Sequence, residues 1–125
     1  AVLSIAATTR QDLKASFSSF GATSVDLGAP GVDVLTTRLG GGYSGFNGTS
    51  AASPVVAGVA ALLWDYAPYA TLQEVRAAIL DGTDPLPALA GITVTGGRVN
   101  AFNSMLELGF VVREVAPPFN AILNT

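Results

Sequence analysis

A chain of 125 residues, half of them hydrophobic and only 12% charged, is more apolar than an average soluble domain; its length suits one small domain or a piece of a larger one. The net charge of −3 argues against nucleic acid or an anionic membrane as a partner. The absence of cysteine excludes disulfides and thiolate metal sites, and the absence of histidine removes the usual side-chain base for activating a hydroxyl.

Residues 2–7 form a short apolar run with β-branched members and are expected to be a buried strand. Residues 8–14 are polar and read as a surface loop. Residues 25–27 and 32–35 flank Gly28-Ala29-Pro30-Gly31, a pattern that predicts strand, turn, strand. Leu39-Gly40-Gly41-Gly42-Tyr43 makes a flexible turn leading into residues 44–46. From Ser50 to Tyr66 the chain is mainly Ala, Val, Leu and Trp with a single charge, Asp65. A helix apolar all round belongs in a core or a membrane. Residues 51–64 are too few to cross ~30 Å of hydrocarbon, and Pro54 interrupts them, so a core helix is expected.

Thr71 with Glu74 three residues later is a capping box; Leu72, Val75 and Ile79 then follow helical spacing until Gly82. Residues 83–91, with Pro85 and Pro87, predict a loop, and residues 92–95 a short strand. Asn100 caps a last helix running to Leu108 and closed by Gly109. Residues 110–125 hold Pro117-Pro118 without a clear period and read as a linker towards a further C-terminal region. There are no internal repeats.

The chemistry concentrates in Asn47-Gly48-Thr49-Ser50-Ala51-Ala52-Ser53-Pro54. Gly48 and Thr49 set a turn that places Ser50 in the first turn of the apolar helix, where backbone N–H groups lack intrahelical partners. An anion forming there meets those donors and the positive end of the helix dipole, which suits the oxyanion of acyl transfer. Small residues at 48, 51 and 52 leave room for a substrate backbone. Pro54 removes an N–H that would otherwise bond the Ser50 carbonyl.

Gly48-Thr49-Ser50-Ala51-Ala52-Ser53-Pro54 resembles the Gly-Thr-Ser-X-Ala-X-Pro signature around the nucleophile of the subtilisin-like serine proteases, the subtilases. The flanks extend the likeness. Ala15-Ser16-Phe17-Ser18-Ser19-Phe20-Gly21 and Val25-Asp26-Leu27-Gly28-Ala29-Pro30-Gly31-Val32 resemble the segments before the serine. Val56-Ala57-Gly58-Val59-Ala60-Ala61-Leu62-Leu63 and Gly96-Gly97-Arg98-Val99-Asn100-Ala101 resemble those after it. The resemblance implies an α/β fold: residues 1–109 would be the C-terminal part of a doubly wound, mostly parallel-sheet, three-layer catalytic domain with a buried central helix. The apolar composition fits, because parallel strands and their covering helices are buried.

The resemblance further implies a serine endopeptidase acting through an acyl-enzyme on Ser50, with protein or peptide substrates and a secreted location. Ser50 would supply the nucleophilic Oγ and one oxyanion donor, its own N–H. Phe46, Asn47, Gly48 and Thr49 would line the site's vicinity, Phe46 and Asn47 on the leaving-group side. The family's Asp, His and oxyanion Asn precede its serine, and none of the 49 residues before Ser50 matches their motifs. Those groups are expected upstream, and the remainder of the catalytic domain is the expected partner; the chain alone is expected to be inactive. No cofactor or metal ligand set is evident, and structural calcium is assigned mainly to the upstream part. Ala51 stands where many members have an oxidisable Met, and Val55 where many have a His that is not the triad base.

Two other readings stand beside this one. Sedolisins also carry Gly-Thr-Ser-Ala but use Glu and Asp, which would make the absence of histidine natural; the 26–32 segment and the lack of an acidic loop after the nucleophile helix favour subtilases. The third reading is a non-catalytic, subtilase-derived module. Asp26 and Asp33 are candidates for a structural cation, Lys14 for a Ser–Lys dyad, and Asn47-Gly48-Thr49 matches a glycosylation sequon. Arg98 is expected to serve stability through a carboxylate or carbonyls.

Overall fold

The computed structural model describes residues 2–115. A sheet of four strands runs in the order β1 (Ile5–Thr8), β2 (Leu27–Pro30), β6 (Gly97–Arg98), β5 (Asp84–Pro85). The first three are parallel and β5 is antiparallel to β6. A separate antiparallel hairpin pairs β3 (Val34–Thr37) with β4 (Tyr43–Phe46). Three helices complete the described residues: α1 (Thr49–Tyr66), α2 (Leu72–Asp81) and α3 (Ala101–Val115).

Strand alternation positions the core. Ile5, Ala7, Leu27 and Ala29 face α1, where they meet Ala52, Val56 and Leu63. On the other face, Leu89 from a short 3-10 turn (Pro87–Leu89) packs over Gly28. The capping box forms as expected: Glu74 N–H donates to Thr71 Oγ1 at 3.2 Å, and Thr71 N–H to Glu74 Oε2 at 2.7 Å. Asn100 caps α3 by accepting from Asn103 N–H at 3.0 Å.

Three local expectations need correction, and the turn expected around Gly40, Gly41 and Gly42 is present. Gly28-Ala29-Pro30 is β2 itself and not a turn. Pro30 ends the strand, where its missing N–H costs least. The triglycine 40–42 closes a true hairpin, all three glycines at positive φ. The strand expected at residues 92–95 is instead at Gly97–Arg98, because Val94 and Thr95 N–H bond back to the carbonyls of Val25 and Asp26, ahead of β2. The last helix passes Gly109 and continues to Val115. Gly109 serves close packing there, since a Cβ on it would stand 3.3 Å from Tyr66 Oη at the end of α1. The linker expectation for residues 116–125 lies outside the described residues.

Loop 8–14 has internal order: its start pairs with its end through a bridge between Thr8 and Lys14. Residues 15–18 also cover part of the outer edge of β1. Ala15 N–H donates to the Ala7 carbonyl (2.9 Å) and Ala7 N–H to Ser18 Oγ (2.8 Å). Among the described residues, the edge nearer Ile5 has no partner strand.

Candidate active site

The nucleophile candidate stands where a hairpin, the end of β2 and a helix start converge. Gly48 is the N-cap of α1, at φ 151° and ψ 161°, and offers no side-chain cap. That backbone conformation is essentially reserved for glycine. A Cβ at residue 48 would also lie 2.9 Å from Ser50 Oγ. Glycine is therefore demanded by torsion, and its missing Cβ leaves the Ser50 hydroxyl in its present position.

Ser50 is the second residue of α1 and is exposed among the described residues. The amides of Ala51 and Ala52 both donate to the Gly48 carbonyl, at 3.0 and 3.2 Å. No described residue accepts from Ser50 N–H, which leaves it free to meet an incoming oxygen. The first turn of α1 carries no acidic side chain, so the positive end of the helix dipole is not neutralised there. Pro54 lies inside the helix and cannot donate to the Ser50 carbonyl.

The elbow is anchored from behind. Gly48 N–H donates to the Gly31 carbonyl at 2.8 Å, and Gly31 N–H to the Thr8 carbonyl at 3.0 Å. A Cβ on Gly31 would sit 2.6 Å from Ala7 Cβ and 2.8 Å from the Gly48 carbonyl oxygen. Only glycine lets the end of β2 approach both β1 and the helix start this closely. Sequence reading placed Gly31 in a turn and missed this role; its place directly after Pro30 held the only signal.

Of the vicinity residues, Phe46 ends β4 and shares one concave surface with Ser50, Ala51, Pro54 and Val55. Thr49 opens the helix. Asn47 is committed elsewhere: its Oδ1 accepts from Asp33 N–H at 2.6 Å. Its side chain is thus turned to the base of the hairpin. Ser53 lines a different, mostly apolar hollow with Leu3, Ile5, Val56 and Trp64.

The remaining candidates disperse. Lys14 Nζ donates to the carbonyls of Ala15 (2.8 Å) and Ser18 (3.2 Å) and lies over the Phe20 ring; it makes no contact with Ser50. Asp26 accepts from Ser4 N–H and pairs with Arg76 at 3.3 Å, while Asp33 stands beyond the other end of β2. Among the described residues no three metal-binding side chains cluster. Arg98 bonds Asp84 at 3.1 Å and lies 3.1 Å from Asp12 without hydrogen-bond alignment. Asn100 and Asn103 also donate to Asp84, so the carboxylate partner expected for Arg98 is present.

Residues 1–105 match the Subtilase family. The chain is 40% identical over 104 residues to a thermophilic serine proteinase of a Bacillus species, covering 83% of this chain and 25% of the relative. It is 41% identical over 108 residues to an extracellular protease of Xanthomonas campestris, covering 80% of this chain and 18% of that protein. The chain thus spans about a quarter or less of these curated relatives. Among solved structures, a protease of Pseudoalteromonas arctica superposes with a TM-score of 0.77 at 30% identity, over 86% of this chain and 36% of that one. A prenylagaramide maturation protease gives 0.76 at 29% identity, over 86% and 42%.

Proposed function

The chain belongs to the subtilase family, and on that premise we propose that it carries the nucleophile of a subtilisin-type serine endopeptidase, with Ser50 Oγ attacking the scissile carbonyl. The observation that supports this most is the glycine-built elbow, which presents Ser50 at the start of α1 with its amide unpartnered among the described residues. As Oγ adds to the carbonyl, the carbonyl oxygen becomes an oxyanion beside Ser50 N–H and the start of α1. Losing one such donor typically costs ~100- to 1,000-fold in rate.

The proton on Oγ needs a base, and these 125 residues contain no histidine. The Asp–His pair and the second oxyanion donor are therefore supplied by the remainder of a longer catalytic domain. Collapse of the tetrahedral intermediate releases the amine and leaves an acyl-enzyme on Ser50, which water then hydrolyses. Phe46, on the same concave surface as Ser50, gives the leaving-group side a partly apolar wall. Protein or peptide substrates and an extracellular location follow from the family reading.

Peptide hydrolysis by the full-length parent protein tests the proposal. Ser50→Ala is expected to lower kcat by about 10,000-fold or more. Ser53→Ala, in a separate hollow, is expected to retain activity within about threefold. Full activity in Ser50→Ala would overturn the assignment.

A further inference from the structure

Resting on the reading of Ser50 as nucleophile, we infer that Asn47 is a positioning residue that acts through the elbow and not a wall of the substrate cleft. Its Oδ1 accepts from Asp33 N–H at 2.6 Å, across 14 residues of sequence. The next residue, Gly48, is held to Gly31 by its own N–H at 2.8 Å. Two adjacent residues of the elbow are thereby tied to two points, Gly31 and Asp33, of one segment leaving β2. One tie is backbone to backbone. The second, through the Asn47 side chain, adds a constraint on how Gly48 enters the helix.

The receiving end is itself held in an uncommon shape. Asp33 is one of two non-glycine residues at positive φ among those described, at 52°. A side chain on Gly45 would run into its carboxylate. Asp33 thus presents its N–H to Asn47 from the base of the β3–β4 hairpin, next to the Gly45–Leu35 pair. A left-handed residue that persists is imposed by its surroundings, and here the surroundings are the hairpin and the elbow. Gly48 is the N-cap of the helix whose second residue is Ser50, and a Cβ on it would stand 2.9 Å from Ser50 Oγ, so a rotation at residue 47 that turns Gly48 shifts the start of the helix and the hydroxyl with it. The bond is solvent-exposed, so its net contribution to stability is small. The effect of misplacing a nucleophile is not small: displacement by about 1 Å can cost ~100-fold.

The test is the second-order rate of fluorophosphonate labelling, with peptidase kcat and KM, in the full-length parent. Wild type comes first: labelling at Ser50, lost in Ser50→Ala, establishes the nucleophile independently of Asn47. Asn47→Leu keeps the size but removes the acceptor and is expected to lower labelling and kcat at least tenfold with KM within about twofold. Asn47→Asp restores an acceptor oxygen and is expected to recover most of the lost rate. Should Asn47→Leu fail to fold, Asn47→Ala removes the same acceptor without bulk. Wild-type labelling at Ser50 together with an unchanged rate in the Leu or Ala variant would overturn the inference and leave the nucleophile standing. A rise in KM alone would also overturn it, because that is the signature of a residue touching substrate.

Discussion

Gly48 is where torsion and chemistry meet. Its φ and ψ fall in a region that other residues occupy only at a cost of about 1–3 kcal/mol, and its missing Cβ clears the hydroxyl of Ser50. Gly48→Ala is therefore expected to destabilise the protein by about that amount. It should also lower kcat/KM in the full-length parent by about 100-fold, because the hydroxyl must move away from the new methyl. Paired measurements of melting and steady-state kinetics check this; a Gly48→Ala protein with wild-type kinetics would show that the elbow tolerates a side chain. Neighbouring residues were legible to different degrees. Ser50 was visible in the sequence because a compact signature surrounds it. The true partner of Asn47 was not, because a bond between residues 33 and 47 depends on how the hairpin folds back.

Among the elements, α1 and α2 were legible for different reasons. The capping box of α2 is a local pattern whose spacing alone specifies the bonds, and both form. Thr71→Ala is expected to cost about 1 kcal/mol, seen as a lower denaturation midpoint, with peptidase kcat unchanged since Thr71 is remote from the elbow. No change in the midpoint would mean that packing against α3 alone holds this helix start. The short strands were read less well. β2 runs from Leu27 into a stretch whose Gly, Ala and Pro usually signal a turn, and only pairing with β1 and β6 makes that stretch a strand. β6 is two residues long, too short for any periodicity to register. Gly109 looked like a terminator because the sequence cannot show that Tyr66 lies against it.

At the scale of the whole molecule, α1 has more apolar surface than the described residues cover. Ala52 and Leu63 are fully buried, yet Leu62 is 44% exposed, and a Cβ on Gly58 would meet nothing within 4 Å. Among the described residues, the β1 edge near Ile5 has no partner strand and borders a mostly apolar hollow. On the proposed reading these surfaces suit packing against the remainder of a longer catalytic domain, the part that would carry the base. A nucleophile within the chain and a base outside it are tested together by one measurement. The full-length parent and the isolated 125-residue chain are each treated with a fluorophosphonate, and the adduct is located by peptide mass spectrometry. The account predicts rapid labelling of the parent at Ser50 and none of the isolated chain above the background of its Ser50→Ala variant. An adduct on another serine of the parent, or comparable labelling of Ser50 in the isolated chain, would contradict it.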